Sequence, residues 1–214
     1  MMRSALSFRR SVFWSALLFL GLIMIGPAMA QIEEPQYKII VSEGDFELRD
    51  YAPYIVAEVV IEGDRDSAVN AGFRVLAGYI FGGNTSQSKI AMTAPVTQSK
   101  GEKIEMTAPV TQTGSGSSWV IRFMMPQTYT MSTLPKPDDK RIALKQIKSR
   151  RVAVLKFSGL WTEGNLNTHR EELAAIITKK SLKPKGEATY AFYDPPWKPF
   201  FWRRNEVMQD IEGR

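Results

Sequence analysis

The side chains that most often carry chemistry are scarce in this sequence. Its 214 residues include no cysteine and a single histidine, His169. Disulfide frameworks, cysteine-ligated zinc, iron–sulfur clusters and cysteine nucleophiles are therefore excluded, as is a site built from several histidines. His169 lies near the boundary of the apolar face of a predicted helix, among polar neighbours. We therefore expect a partly covered helix residue rather than a metal ligand.

Sequence motifs typical of enzymes are incomplete. Ser86 to Lys89 matches the serine–x–x–lysine pattern of penicillin-recognising enzymes, but neither companion motif is present. A serine–histidine–aspartate triad would have to use His169, and no serine lies on a nucleophile elbow. The glycines at 114 and 116 lack the third glycine and the following helix of a phosphate-binding loop. No catalytic residue is therefore assigned.

The first 30 residues have the composition of a secretory signal peptide. Three arginines precede a nearly unbroken apolar run, Val12 to Ile25, and a small-x-small cleavage site at 28–30. We expect a mature, periplasmic domain of residues 31–214; the alternative is an uncleaved signal that anchors the domain to the inner membrane. Three of the 28 basic residues lie in this leader, so 25 remain against 22 acidic residues, and the net charge falls from +6 to +3. This removes the electrostatic argument for a nucleic-acid partner.

The remaining chain is predicted to form two halves with the same order of elements. Alternation in Ile55–Glu62 predicts a half-buried strand. Apolar residues at helical spacing then predict a helix that is capped by Asp64 or Asp66 and ends at Gly82. The second half follows a Gly/Ser turn and contains a predicted helix at Asn165–Lys180 and a loop at 127–139. The other predicted strands are 37–41, 46–51, 89–97, 103–112, 119–125, 141–147, 151–157, 188–193 and 205–211. This order predicts one α+β domain whose antiparallel sheet is closed or nearly closed and carries two helices.

A tandem repeat is the most specific local feature. Lys89–Gln98 returns fourteen residues later as Lys103–Gln112 with a single substitution. Two copies are too few for a solenoid, and a β-hairpin with prolines at edges or bulges is a sufficient explanation. Met92 and Met106 could also line a ligand cleft, because thioethers adapt to irregular apolar surfaces.

Four motifs occur in an order that matches a known family. They are FELRDY at 46–51, the helix end GYIFG at 78–82, the two Met-Thr-Ala-Pro-Val copies, and YDPPWKP at 193–199 running into RRNEV at 203–207. Together they resemble the SOUL haem-binding protein family over about residues 37–211. The resemblance implies a distorted antiparallel β-barrel of two pseudo-repeated halves with two helices. It also implies that haem or free porphyrin binds in an apolar surface cleft beside the first helix.

The resemblance also assigns roles to individual residues. One branch of the family is proposed to ligate iron through a histidine at the position of Asp50, so that axial ligand is absent here. Other members hold the tetrapyrrole by apolar contacts, with basic residues near the propionates. Lys198 matches the basic residue after the double proline. Basic residues that animal members place near the cleft are missing at Asn70 and Gly78, and Arg74 is the nearest substitute.

A porphyrin is a flat apolar disc with two carboxylates on one edge, so its site needs an apolar slot and a cation at the rim. We expect Lys198 or Arg74 to supply the cation. The expected slot residues are Val69, Phe73, Val75, Leu76, Tyr79, Met92 and Met106. An apolar stripe at helical spacing is equally the pattern of core packing, so both interpretations stay open. Met92, Met106, Tyr51 and Tyr79 are chemically possible axial ligands, and their spacing favours none of them.

These observations lead to one expected function and two alternatives. We expect a monomer that binds haem or a related tetrapyrrole, without a strong axial ligand, and that buffers, sequesters or carries it outside the cytoplasm. The first alternative is an enzyme that modifies the bound tetrapyrrole, for example by removing its iron. The second is a domain of the same fold that binds another small molecule or a protein.

Overall fold

The computed structural model describes residues 32–86 and 101–213. Ile32–Arg214 forms one compact unit that contains all three core clusters. The predicted signal peptide, the predicted strand at 89–97 and Met92 lie outside the described residues. No helix of the described part is long and apolar enough to cross a membrane.

Eleven strands and two long helices make up the described part of the chain. The helices are α1 (Arg65–Ile80) and α2 (Glu163–Lys179), and a short 3-10 helix covers Phe200–Trp202. The strands are β1 (Tyr37–Glu43), β2 (Phe46–Tyr51), β3 (Tyr54–Glu62), β4 (Asn84–Thr85), β5 (Val110–Ser115), β6 (Ser118–Met124), β7 (Lys136–Pro137), β8 (Ala143–Ile147), β9 (Arg150–Phe157), β10 (Pro184–Phe192) and β11 (Asn205–Ile211).

Nine of these strands form one antiparallel sheet in the order β1-β2-β9-β11-β10-β5-β6-β3-β8. The sheet curls into a half-barrel, and its edge strands β1 and β8 have no ladder between them in the described residues. Strands β4 and β7 pair separately. The predicted α+β class, with a curled antiparallel sheet and two helices, is confirmed. The pseudo-repeat of the two halves stays a prediction.

The second copy of the tandem repeat differs from the prediction. A strand was expected over Lys103–Gln112, but the ladder begins only at Val110. The backbone N–H groups of Ile104 and Ala108 donate instead to the carbonyls of Ile80 and Glu33, and Pro109 has no N–H to donate. Residues 103–109 therefore connect other elements instead of extending the sheet.

Local side-chain chemistry explains where both helices begin. The Asp64 carboxylate accepts a 3.0 Å hydrogen bond from the Ser67 N–H at the start of α1, and Thr162 caps α2 in the same way. Helix α1 packs on β3 and β6, whereas α2 packs on β9, β11 and β10. Gly72 lets α1 approach β6 closely, since a Cβ there would lie 2.8 Å from Ile121 Cδ1. Both helices therefore cover the same face of the sheet and leave β5 between them.

Candidate functional site: an apolar strip between the helices

The sheet surface between α1 and α2 carries a row of apolar side chains. Phe192 on β10 pairs with Val110 on β5, which pairs with Phe123 on β6. Residues paired across antiparallel strands point to the same face. Val110 and Phe123 pack with the α1 cluster and Phe192 with the α2 cluster, so this row faces the helices. It forms an apolar floor assembled from three strands.

Helix α1 borders this floor with an incompletely covered aromatic side chain. The Phe73 ring meets the Phe123 ring edge-on, with centroids 5.2 Å apart. Phe73 nevertheless keeps 40% of its surface exposed. Val69, one turn earlier on the same side of the helix, is half-buried. A large ring that packs on one side and faces solvent on the other can contact a bound ligand.

The opposite border is formed by the loop that precedes α2. The Trp161 ring lies 5.0 Å from the Phe192 ring, and the Arg203 guanidinium stacks over Trp161 at 4.9 Å. Arg65, in the first turn of α1, donates a 3.0 Å hydrogen bond to the Trp161 carbonyl. We call Val69, Phe73, Val110, Phe123, Trp161 and Phe192 the interhelix strip. It combines an apolar floor and aromatic borders with two cations at its margin.

Burial changes the electrostatics at this margin. Desolvation lowers the pKa of Arg65 from its ordinary value, and the carboxylate of Asp66 partly offsets that effect. Arg65 Nη1 donates a 2.8 Å hydrogen bond to the Asp66 carboxylate, so part of the positive charge of Arg65 is already compensated. Arg65 links α1 to the α2 loop across the strip.

A buried amide in the row next to the apolar floor is a feature that sequence reasoning missed. Gln112 on β5 lies between Tyr190 and Ile121 in the neighbouring row and is almost fully buried. Within the described residues, neither its Nε2 nor its Oε1 has a hydrogen-bond partner. A buried polar group without a partner costs free energy. A water molecule or a polar ligand group at this position would remove that cost.

The predicted slot residues on α1 have different surroundings. Leu76 and Tyr79 are buried in the α1 cluster, and the Tyr79 hydroxyl donates a 2.8 Å hydrogen bond to the Pro135 carbonyl. Val75 is half-buried on the other side of the helix from Val69 and Phe73. Val69 and Phe73 are thus the predicted α1 residues that border the strip, while Leu76 and Tyr79 hold the helix on the sheet.

Of the two predicted cations, Lys198 is paired with a carboxylate, and Arg74 shares a pocket with two aspartates. Arg74 lines a pocket of about 370 Å³ that also contains Asp138 and Asp139. Lys198 Nζ lies 2.7 Å from the Asp194 carboxylate. The Lys198 carbonyl accepts a 2.8 Å hydrogen bond from Arg203 Nε, which places Lys198 beside the Trp161 border of the strip.

The remaining predicted residues lie at separate places. Met106 is 52% exposed, four residues before Val110 in the strip. His169 stacks on Phe157 with centroids 4.2 Å apart, and its Nδ1 lies 2.7 Å from the Asn165 carbonyl. Its predicted role as a partly covered helix residue is confirmed. No group of three or more metal-binding side chains occurs in residues 32–86 and 101–213.

Asp50, the position of the proposed axial histidine, is distant from the strip. It lies on β2 and accepts two 2.8 Å bonds from Arg151 on β9. Four strands separate β2 from β6, which corresponds to about 24 Å along the sheet at ~4.8 Å per strand. Along the sheet, Asp50 is thus well separated from Phe123, and its carboxylate is engaged by Arg151.

The opposite face of the sheet contains a buried network of charges that no local motif indicated. Arg49 donates two hydrogen bonds to Glu206, at 2.9 and 3.0 Å, and a third to Glu47 at 2.7 Å. Glu206 also accepts bonds from Tyr193 and Arg204. Since Phe46 and Leu48 of β2 pack under α2, the alternating residues Glu47 and Arg49 point to the other face.

This network keeps its acids ionised and its phenols neutral. Burial acts to raise the pKa of Glu206, but hydrogen bonds from Arg49 and the charges of Arg49 and Arg204 outweigh it and lower the pKa below its ordinary value. Burial and the charge of Glu206 raise the pKa of Tyr193 well above its ordinary value. The network is internally satisfied and offers no obvious unpaired group to a ligand, so we interpret it as structural.

A second surface pocket, of about 540 Å³, lies near the turn between β2 and β3. Its described lining combines amides and hydroxyls with apolar side chains and includes no charged residue. Gln36 and Gln127, which line it, are joined by a 2.9 Å hydrogen bond. A dicarboxylate such as a porphyrin would find no cation there.

An apolar surface with cations at its margin is typical of a site for a flat apolar ligand that carries acidic groups. The family model described as SOUL heme-binding protein matches residues 32–210. The chain therefore belongs to the SOUL haem-binding protein family.

Individual relatives agree with this assignment. Heme-binding protein 2 of Mus musculus is 29% identical over 82% of this chain and 84% of its own length. Heme-binding protein 2 of Homo sapiens is 30% identical over 77% of each chain.

Solved structures share the fold at much lower sequence identity. The C-terminal domain of EcmrR superposes with a TM-score of 0.56 at 11% identity, over 83% of this chain and 99% of that domain. A hydrolase from Listeria innocua gives a TM-score of 0.52 at 13% identity, over 81% of this chain and 94% of its own. At these identities the similarity concerns the fold alone.

Proposed function

We propose that this protein binds haem or a related tetrapyrrole on the interhelix strip. Membership of the SOUL family across residues 32–210 is the observation that carries the proposal. The two relatives named as heme-binding proteins support it. The strip supplies what the ligand needs, because Phe73 and the floor beneath it are apolar while Arg65, Arg203 and Lys198 lie at the margin. The domain would buffer, sequester or carry the ligand outside the cytoplasm.

The tetrapyrrole is held mainly by apolar contact in this proposal. Asp50 is engaged by Arg151. The Tyr51 hydroxyl accepts a hydrogen bond from Arg49 inside the buried network. These groups are therefore poor candidates for an iron ligand. Hemin and iron-free protoporphyrin IX should bind with similar affinity.

Phe73→Ala is the variant that tests the strip most directly. An aromatic side chain buries ~200 Å², so covering the 40% that is exposed removes ~80 Å² from water. At ~25 cal/mol/Å² this is worth ~2 kcal/mol, or ~30-fold in Kd. Phe81→Ala is the matched control, because Phe81 is 59% exposed at the end of the same helix.

The measurement is a hemin titration followed at the Soret band. We expect Phe73→Ala to weaken binding at least about tenfold and Phe81→Ala to leave it unchanged. Lys198→Ala tests the propionate contact at the margin of the strip. Arg74→Ala tests the other cation predicted from sequence, which lines a pocket that contains no strip residue. Unchanged affinity in both variants would remove the propionate assignment made from sequence. No saturable spectral change with the unmodified protein would refute haem binding. Accumulation of iron-free porphyrin over many turnovers would instead favour the alternative of an enzyme that removes iron from the bound tetrapyrrole.

A second candidate function is the binding of an uncharged small molecule in the 540 Å³ pocket. The observation that favours it is the lining of amides, hydroxyls and apolar groups without charge. A ligand of this pocket should protect the protein against thermal unfolding, and Gln146→Ala should weaken that protection. The same variant should not change hemin affinity.

A further inference from the structure

The loop between β10 and β11 exposes four large aromatic side chains. Trp197 is 83% exposed, Phe200 49%, Phe201 55% and Trp202 68%. We call these four residues the aromatic loop. Large apolar groups are seldom clustered on the surface of a soluble domain unless they contact something.

The aromatic loop is held in place by its neighbours. Arg203 donates hydrogen bonds to the carbonyls of Pro196 and Lys198. Asp194 pairs with Lys198 and accepts a 2.6 Å hydrogen bond from the Arg204 N–H. The Phe200 carbonyl accepts a 2.9 Å hydrogen bond from the Gly159 N–H. The rings are therefore presented to solvent by a defined backbone.

The relative orientation of the rings indicates what can cover them. The Phe200 and Phe201 rings are inclined by 84°, and the Phe201 and Trp202 rings by 67°. A single flat ligand cannot stack on rings that are nearly perpendicular to one another. The disordered hydrocarbon and headgroup region of a lipid bilayer can surround all of them, and it is the region that Trp side chains prefer.

Charge and chain connectivity point to the same partner. Lys198, Arg203 and Arg204 accompany the four rings, against the single acid Asp194 in this loop. Long cationic side chains can reach lipid phosphates while rings insert beside them. Arg204 Nη1 also lies 2.9 Å from the Glu34 carboxylate, so the start of the described chain lies beside this loop. The apolar run Val12–Ile25 ends only nine residues before Glu34.

We propose that the aromatic loop docks the domain onto an anionic phospholipid bilayer. The rings enter the headgroup region and the flanking side chains of Lys198 and Arg203 contact lipid phosphates, whereas Arg204 stays in the network with Glu206 and Glu34. Docking places the domain at the membrane surface whether or not the leader peptide is retained. This interaction goes beyond tetrapyrrole binding, because the four rings lie outside the interhelix strip, although Lys198 and Arg203 border both surfaces.

The test uses the chain 31–214, which contains the complete compact unit and cannot bind through the leader. Its partition is measured by cosedimentation with vesicles of phosphatidylcholine alone and of phosphatidylcholine with 30% phosphatidylglycerol. Trp emission and its quenching by brominated lipid report insertion of the rings. The test variant is the double substitution Trp197→Ala and Trp202→Ala. The control is Phe81→Ala, which removes a ring that is 59% exposed elsewhere on the surface.

We expect the unmodified domain to bind the anionic vesicles with a blue shift and quenching of Trp emission. Partition should fall at least about tenfold in the double variant and in phosphatidylcholine alone, and remain unchanged in Phe81→Ala. The urea midpoint of each variant shows whether it is folded. If the double variant does not fold, Phe200→Ser with Phe201→Ser provides the same test.

Two results would overturn the proposal. The first is the absence of vesicle binding by the unmodified domain. The second is equal binding by the domain and a folded loop variant. Hemin titration of the double variant separates this proposal from the proposed function, because the loop variant should retain hemin affinity. Loss of hemin affinity without any vesicle binding would assign the loop to the tetrapyrrole site or a protein partner instead.

Discussion

Gly72 fixes the distance between α1 and the sheet, and its replacement by alanine should therefore destabilise the protein. The new Cβ would lie 2.8, 2.9 and 3.1 Å from Cδ1, Cγ1 and Cβ of Ile121. Ile121 is fully buried, so it cannot move aside without disturbing β6. Overpacking of this kind costs ~1–3 kcal/mol, while exchanging glycine for alanine in a helix returns ~1 kcal/mol. We expect Gly72→Ala to lower the free energy of unfolding by about 1 kcal/mol.

Gly78 on the same helix provides the matched control. A Cβ at Gly78 would have no heavy atom within 4 Å. Gly78→Ala therefore gains helix propensity without a clash and should raise the free energy of unfolding by up to ~1 kcal/mol. The two substitutions are chemically identical, so their opposite effects isolate the contact between Gly72 and Ile121.

Urea denaturation followed by far-UV circular dichroism measures both effects. Equal m-values for the three proteins would show that only stability has changed. Because Phe73 follows Gly72 directly, displacement of α1 should also weaken hemin binding in Gly72→Ala but not in Gly78→Ala. A Gly72→Ala protein as stable as Gly78→Ala would refute the close approach of α1 to β6.

Two further predictions concern buried polar groups. The pKa of Glu206 is lower in the folded protein than its ordinary value of 4.5. Its carboxylate therefore stabilises the fold fully at pH values above 4.5, and this contribution is lost as the pH falls through the folded-state pKa. Glu206→Gln should cost ~3 kcal/mol at pH 7, because Arg49 loses the charged partner that accepts two of its hydrogen bonds and keeps only Glu47 and Tyr51 among its described hydrogen-bond partners. The variant should also flatten the low-pH side of the curve of urea midpoint against pH, and an unchanged curve there would contradict the prediction. Tyr79→Phe removes the hydrogen bond to Pro135 and should cost ~1 kcal/mol in the same urea assay. Its hemin affinity should not change, and a large loss would place Tyr79 in the ligand site.

Much of the fold could be predicted because its determinants are local. The alternation in Ile55–Glu62 predicted β3, and a cap at Asp64 or Asp66 predicted the start of α1, which the structure places after Asp64. The start of β5 could not be found this way. Lys103–Gln112 has the composition of a strand, but tertiary hydrogen bonds from Ile104 and Ala108 occupy the backbone groups that a ladder requires. The strand propensity of a segment does not show that tertiary hydrogen bonds compete for its backbone groups.

The candidate site was only partly predictable, for two physical reasons. Phe73 and Leu76 belong to the same apolar stripe of α1. Phe73 stays partly exposed and Leu76 is buried because of where α1 lies on the sheet beside β5. The floor also depends on the register of Phe192, Val110 and Phe123, which come from strands distant in sequence. The bond between Arg49 and Glu206 spans 157 positions, so no local pattern indicates it.

The surroundings of the possible axial ligands restrict how iron can be held. The hydroxyls of Tyr51 and Tyr79 are committed to Arg49 and to the Pro135 carbonyl, and both side chains are buried. Met92 lies outside the described residues. Of the three candidate ligands within the described residues, only Met106 has a substantially exposed side chain. It precedes the strip residue Val110 by four positions. A thioether is a neutral ligand that favours reduced haem iron. If Met106 does contact iron, reduction should strengthen binding, whereas the affinity for hemin should still resemble that for iron-free porphyrin.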